Sequence, residues 1–390
     1  MAAYLIGYTI IAVILIFVVF SILVKRRVIF GNNLLVQRIF GHPLLHYSLR
    51  RIGSSLISIS LAILVTFFLI RLAYPADNTC KVLFSGLKVS EDLFNLRCNN
   101  WKEELGFSGS ILQQLGTFFY NILPVPKTVC QTAIIEDSGN LSFSISSCRT
   151  FVINFGTIYN LAGFPDGGFV EDYILPRTLV SFRINIIATL VELGLGYPFG
   201  LLMAKYQNGI FDKIGKTYII TIDAIPGVAY YYIWMAILCG LFALPNRYDA
   251  NNFASWLPVI LTIGFTGMSG TGLWVRRYMV DEFNADYVKF ARSKGLSEGR
   301  IMSIHILRNA VVPLVRTFPG AIIGALFGSY YLENIYNIEG IGKAIIVATN
   351  TYNSSLLIAI IMISALLSVF SYLLGDIVTA MVDPRISFSS

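Results

Sequence analysis

Asp286-Tyr287-Val288-Lys289-Phe290-Ala291-Arg292-Ser293-Lys294-Gly295-Leu296 lies inside a polar island, residues 276–312, between two apolar runs. The island carries seven Lys or Arg against four Asp or Glu, and that basic excess marks a loop kept on the cytoplasmic side of a membrane. Its local signals are too ordered for a plain linker. Asn284 or Asp286 can cap a first helix, Lys294 suits the negative end of its dipole, and Gly295 suits the left-handed position that closes it. Ser297 can cap a second helix that shows Ile301, Ile304 and Leu307 on one side. Tyr287 and Phe290 are expected to project together, ringed by Arg292 and Lys294, as a docking knob would. An amphipathic loop lying on lipid headgroups fits the same residues.

Outward from the island the chain is strongly apolar. Hydrophobic residues make up 55% of its 390 residues and charged ones 13%, with a mean hydropathy of +0.68, so the expected fold is an all-α polytopic membrane protein. A spanning helix needs roughly 20 apolar residues. Seven runs qualify: residues 4–24, 52–72, 178–204, 218–244, 256–275, 314–332 and 356–381. Residues 25–51 hold six basic and no acidic residues, which places them inside, the N-terminus and residues 74–175 outside, and the C-terminus inside. Residues 205–216, with three lysines and one aspartate, then fall inside as well. The net charge of +7 is accounted for by topology, and no basic face with interleaved aromatics suggests a nucleic-acid partner. The run at 4–24 reads as a retained helix rather than a removable signal, because Lys25-Arg26-Arg27 come after it and no basic segment precedes it.

Four of the five cysteines, Cys80, Cys98, Cys130 and Cys148, fall in the outer segment, an even number on the oxidising side. Leu141, Phe143 and Ile145 alternate as a strand does, and Asp137-Ser138-Gly139-Asn140 reads as a turn back to residues 129–135. Centring that hairpin on Gly139 sets Cys130 opposite Cys148 and leaves Cys80 for Cys98. Reduced thiols are the alternative, and Cys239, inside an apolar run, reads as a packing residue.

Enzyme signatures are absent from the sequence. There is no H-E-x-x-H or G-x-S-x-G, and three histidines offer no metal cluster. Gly215-Lys216-Thr217 is the nearest approach to a phosphate loop, but Gly209 is one residue too far away and no strand precedes it. No catalytic residue, metal site or resident cofactor is expected.

The island resembles the coupling loop, or EAA loop, of ATP-binding-cassette importer permeases, of the oligopeptide/dipeptide permease B subunit type. The matching residues are Asp286-Tyr287-Val288, Ala291-Arg292-Ser293-Lys294-Gly295-Leu296 and His305-Ile306-Leu307-Arg308-Asn309-Ala310-Val311-Val312-Pro313. Flanking matches include Leu49-Arg50-Arg51-Ile52, Arg71-Leu72, Ala224-Ile225-Pro226-Gly227, Leu326-Phe327-Gly328-Ser329, Glu333-Asn334-Ile335, Ile338-Glu339-Gly340-Ile341-Gly342 and Val382-Asp383-Pro384-Arg385. Lys289 stands where the general family has glutamate, Pro313 lies further beyond Gly295 than in sugar permeases, and the helix at 4–24 has no family counterpart. The first two departures are habits of the peptide subgroup.

The resemblance implies a type I (MetI-like) transmembrane bundle in the bacterial plasma membrane. It divides the chain into an extra helix at 1–24, a basic segment at 25–51, a first family helix at 52–73, an extracellular lobe at 74–175, a permease core at 176–383 with the coupling loop at 276–312, and a tail at 384–390. It also implies a second permease subunit, two cytoplasmic ATPase subunits that bind Mg-ATP, and an extracellular substrate-binding lipoprotein delivering oligopeptides. Related cargoes are nickel chelates, glutathione and sugars; of the alternatives to an importer, a lone channel or secondary transporter should show internal repeats, which the two halves do not, and an anchored receptor would not need the docking loop. Residues 285–293 become the coupling helix, with Asp286, Tyr287, Lys289, Phe290, Ala291, Arg292, Lys294, Gly295 and Leu296 as ATPase-coupling residues. Polar groups within apolar runs face inward or pair, so Asn185, Glu192, Ser329 and Glu333 are the pathway candidates, Glu192 having Arg183 as an alternative partner. Gly320, Gly324 and Gly328 are expected to share one helix face for close packing, and Pro226-Gly227 to bend theirs.

Overall fold

The computed structural model describes residues 43–84, 90–137, 140–315 and 317–382. The expected helix at 4–24, the run Lys25-Arg26-Arg27, the turn residues Ser138-Gly139 and the tail at 384–390 lie outside them. The described chain forms two compact units: one holds the residues up to Pro176 with Ala344–Phe370, the other Arg177–Lys343 with the residues from Ser371 onward.

The first unit opens with α1 (Pro43–Ala73), then α2 (Ala76–Phe84), α3 (Glu91–Glu104) and α4 (Ile111–Ile122). Ser90 caps α3 through its hydroxyl, and Ser110 with Gln113 forms a capping box on α4, so short polar side chains satisfy amides that those helix starts leave open. Cys80, Leu83, Phe84, Trp101 and Phe107 pack into a core between them. Cys80 is bonded to Cys98, which ties α2 to α3.

Strands β1 (Lys127–Asp137) and β2 (Asn140–Phe151) pair antiparallel, with Cys130 opposite and bonded to Cys148. Asp137 pairs with Asn140, the two ends of the expected turn, and a register shift between Gln131 and Thr132 passes over Ser146. The bulge supplies the single residue by which a two-residue turn would otherwise miss the cysteine pairing. At the foot of β1, buried Lys127 donates to the carbonyls of Asn121, Leu123 and Val152 at 3.1, 2.6 and 3.1 Å, using the ammonium's three donors on three acceptors. Two short strands, β3 (Thr157–Ile158) and β4 (Gly168–Phe169), pair beside it in sequence.

Then come α5 (Val170–Lys205), α6 (Ile210–Ala224), α7 (Gly227–Met235, continued by a π turn at Ala236–Leu241) and α8 (Trp256–Phe283). After them lie α9 (Asp286–Ser293), α10 (Glu298–Arg300, continued by a π turn at Ile301–Ile306), α11 (Leu307–Val315), α12 (Phe318–Gly324), α13 (Tyr330–Ile335), α14 (Ile341–Asn350) and α15 (Ser354–Val382). Among the described residues four helices are long and apolar enough to cross a membrane, or six if each of two bent pairs counts as one span.

The expected bend at Pro226-Gly227 is present, and the run at 314–332 is shortened. The run at 218–244 is two helices, α6 and α7, that meet at 113°, because Pro226 lacks an N–H and holds Ile225 extended, at φ −89° and ψ 131°. The run at 314–332 stops at Gly324, and Gly328 takes a left-handed φ of +64°, so Gly320, Gly324 and Gly328 do not share one helix. Close packing occurs elsewhere. Within the second unit α5 and α8 meet across a seam of Gly196, Gly200, Gly264, Gly267 and Gly272; a Cβ on Gly200 would lie 2.5 Å from the Gly272 carbonyl oxygen and 2.7 Å from Val275 Cβ. The bare backbone is what lets the two helices approach.

Candidate coupling site

The polar island is more helical than its sequence suggests. Helix α8 runs past the expected end at Val275 to Phe283, and Asn284 closes it, its Nδ2 donating back to the carbonyl of Val280 at 3.1 Å. Asn284 is therefore unavailable as a cap for α9. The N-cap is Ala285, which has no side chain able to bond, and Asp286 pairs with Lys289 at 2.8 Å; that ammonium holds the Asp286 carboxyl below its usual range. Ser297 occupies the N-cap position of α10 without a side-chain bond.

The C-terminal end of α9 is closely specified. Gly295 sits at φ +73°, its N–H bonds the Arg292 carbonyl at 2.9 Å, and the Leu296 N–H bonds the Ala291 carbonyl at 3.3 Å. These are the paired bonds of a Schellman stop, and apolar Leu296 packs back beneath the helix. Arg292 then grips Glu298 through Nε and Nη2 at 2.7 and 3.2 Å, bracing the corner between α9 and α10.

One face of α9 is anchored. Val288 and Ala291 are buried with Val275, Met279, Ile301, Ile306 and Leu314. Tyr287 leans onto this cluster and its hydroxyl donates to Glu282, whereas Phe290 is 61% exposed, with Lys294 Nζ 4.4 Å above its ring. The two aromatics do not project together; the exposed tip is Phe290 among Lys289, Arg292 and Lys294. The second helix also differs from the α-periodic reading: Ile301 and Ile306 are fully buried and Ile304 is 48% exposed. A π turn brings residues five apart onto one side.

Beside this cluster is a buried ion pair that the sequence reading did not single out. Arg276 Nε and Nη2 donate to Asp212 Oδ1 and Oδ2 at 2.6 and 2.9 Å, and Lys216 Nζ and the Asn208 amide reach Oδ2 at 3.0 and 2.9 Å. The pair joins α8 to the first turn of α6. With Asp212 wholly enclosed, Asp212→Ala would leave Arg276 unpaired, an expected loss of about 3–5 kcal/mol. Fluorescence-detected size exclusion after heating should show the variant aggregating well below the parent protein; equal thermal resistance would refute the assignment. Gly215-Lys216-Thr217 lies inside α6, with Gly215 against Met203, rather than in a loop.

Residues 196–388 match the family described as binding-protein-dependent transport system inner membrane component. That segment belongs to this family. The oligopeptide transport system permease protein AmiC of Streptococcus pneumoniae serotype 4 is 35% identical over 224 residues, 56% of this chain and 45% of that protein. The chain thus spans about half the length of that relative. AppB of Bacillus subtilis, also an oligopeptide transport system permease protein, is 29% identical over 60% of this chain and 76% of that one. A solved structure of the MetNI methionine ABC transporter in inward-facing conformations covers 55% of this chain and 97% of its own, at 14% identity and a TM-score of 0.44.

Of the four pathway candidates, Asn185, Ser329 and Glu333 are linked through Ser181 and the start of α13, whereas Glu192 has a separate partner. Glu192 faces Gly267 across the α5–α8 seam and accepts from Thr271 Oγ1 at 2.8 Å; Thr271, not Arg183, is its partner. Asn185 Nδ2 donates to the Ser181 carbonyl at 2.8 Å, and Ser329 begins α13. Glu333 is enclosed: Ser181 Oγ donates to Oε1 at 2.6 Å, the Lys343 amide to Oε2 at 3.0 Å, and the Ile341 amide to Ser181 Oγ at 2.9 Å. A Cβ on Gly328 or Gly340 would collide with this carboxylate. The group anchors the start of α14, outside the candidate spans.

Burial pushes the Glu333 carboxyl up to about 7, only partly offset by the Ser181 hydroxyl and the amides of Lys343, Gly342 and Ser329. The folded chain therefore holds a proton that the unfolded chain, with a carboxyl near 4.5, has released. Stability contributed here is expected to fall as pH rises from about 4.5 to about 7. Melting curves across that window should be flatter for Glu333→Gln, and identical slopes would remove the role.

Proposed function

We propose that this chain is a permease subunit of an ATP-driven importer that carries oligopeptides across a bacterial plasma membrane. The observation that carries this reading is α9: a short helix anchored by Val288 and Ala291 and stopped at Gly295, presenting Phe290 among basic side chains. Such a rigid, exposed tip suits insertion into a groove on an ATPase subunit, so that movement of the ATPases is passed to the helices behind it. The peptide assignment is supported by the relatives' names, AmiC and AppB both being oligopeptide transport system permease proteins.

In this reading the chain hydrolyses nothing itself. Two cytoplasmic ATPase subunits bind Mg-ATP, a second permease completes the pathway, and an external binding lipoprotein delivers the peptide. The coupling loop faces the cytoplasm, as does the C-terminus, while the lobe at 74–175 lies outside, where its paired cysteines suit an oxidising medium. Affinity purification of the tagged chain from its own membranes tests the assignment. Two ATPases and a second permease should accompany it, and reconstituted complex should take up labelled peptides only with ATP; a chain that purifies alone and transports without nucleotide would overturn the proposal.

A further inference from the structure

Arg71 stands in the last turn of α1 with its guanidinium held between aromatic rings, 4.4 Å from the Phe107 centroid and 5.9 Å from that of Phe67. Its Nη2 reaches the Phe107 carbonyl at 3.5 Å, the outer limit for a hydrogen bond. Among the described residues no carboxylate pairs with it. The nearby Asp77 is taken by Lys102. A guanidinium has five N–H donors, so this half-buried cation keeps most of its bonding capacity for something outside the protein.

The side chain opens onto a cavity of about 420 Å³ lined also by Phe68, Pro75, Asp77, Lys102, Ile111 and Gln114. Arg71 and the Lys102–Asp77 ion pair occupy one part of the wall and apolar groups another, and the apolar part continues onto the surface, where Phe68, Leu69 and Leu72 of α1 and Ile111 and Leu112 of α4 are exposed. Helix α1 contains a candidate span that ends at Ala73. Arg71 therefore stands at the boundary between hydrocarbon and water, the depth at which lipid phosphates lie and to which arginine side chains reach.

We propose that this cavity binds the phosphate headgroup of an anionic phospholipid, with Arg71, the cation that Asp77 does not neutralise, facing the phosphate and the acyl chains lying along Phe68, Leu72 and Ile111. Charge complementarity calls for an anion, and the apolar flank beside it selects one that carries hydrocarbon. A peptide carboxylate matches the charge but not that flank. The site stands independently of the transport reading, since it needs only a membrane.

Native mass spectrometry of the full chain, released from micelles supplemented with phosphatidylglycerol or phosphatidylcholine, tests this. Phosphatidylglycerol should be retained in preference, and Arg71→Gln should weaken retention about tenfold, the worth of a charge-assisted hydrogen bond. Arg71→Lys should recover much of it, and Ile111→Ser should weaken both lipids. Peptide mapping without reductant should show both disulfides in every variant, so that lost binding is not lost folding. Equal retention by the parent chain and Arg71→Gln would overturn the site. Displacement of the lipid by inorganic phosphate alone would assign the cavity to free anions instead, and displacement by a tripeptide acid but not by its amide would assign it to peptide; either result refutes the lipid proposal.

Discussion

Gly295→Asp is expected to abolish peptide uptake by the reconstituted importer while the ATPase subunits continue to hydrolyse ATP. Conformation and charge rather than space are the cause, because nothing lies within 4 Å of a Cβ built on Gly295 and a carboxylate there faces the negative end of the α9 dipole. At φ +73° a non-glycine residue costs roughly 1–2 kcal/mol, and the two bonds that stop α9 depend on that angle. Relaxing the strain lets the helix continue or fray, which turns Phe290 and the corner held by Arg292 and Glu298 away from their set direction. Gly295→Asn, whose side chain tolerates the left-handed region about as well as aspartate's but puts no negative charge at the negative end of the α9 dipole, should retain most uptake. Uptake and phosphate release measured on the same proteoliposomes decide the matter: normal uptake by the aspartate variant would end the coupling assignment, and loss of both activities in both variants would point to misfolding.

Gly200→Leu is expected to prevent accumulation of folded chain altogether. A Cβ here meets backbone, the Gly272 carbonyl oxygen, and the Cβ of Val275, neither of which is the movable end of a side chain. Overpacking of an ordinary core costs about 1–3 kcal/mol, but here α5 and α8 must separate along the whole seam, and the bond from Thr271 to Glu192 goes with it. The control is Gly194→Leu on the same helix, where a Cβ meets nothing within 4 Å. Quantitative blotting of membranes should find Gly200→Leu at a small fraction of the Gly194→Leu level; similar amounts would show that the seam is looser than its geometry indicates.

The contrast between these glycines shows what a sequence reading can reach. Gly295 comes after a basic helical end and just before a serine of the kind that starts helices, so local chemistry alone identifies its left-handed role. Gly196 and Gly200 offer a weaker but readable signal, the spacing of four that brings small residues together on one helix face. The same spacing misleads at Gly320, Gly324 and Gly328, because Gly328 has left the helix. Spacing describes a face only where the helix exists.

Other misses have the same kind of cause. Asn284, Asp286 and Ser297 are all competent caps, yet Asn284 is engaged by the end of α8 and Asp286 by Lys289, and local propensity cannot rank such competitors. The Asp212–Arg276 pair is separated by 64 residues and becomes visible only when α6 and α8 are placed. Glu192 and Glu333 were legible as polar groups needing partners, but nothing in their neighbours' order names Thr271 or Ser181. The hairpin cysteines were legible as a facing pair because strand alternation fixes a register; the bulge at Ser146 was not, since an extra residue leaves no mark on composition.

The wide turn at Ile301–Ile306 amounts to one surplus residue spliced into a helix whose two ends keep their directions. When this stretch is aligned with a relative whose helix is uninterrupted, a single gap among residues 302–305 restores every downstream position, and no second gap is needed to compensate. Placed anywhere else between Glu298 and Val315, the same gap would rotate the residues beyond it by about 100° and set Ala310 and Leu314 against solvent. Chain length is thus negotiable at one point of this loop and rigidly counted on either side of it.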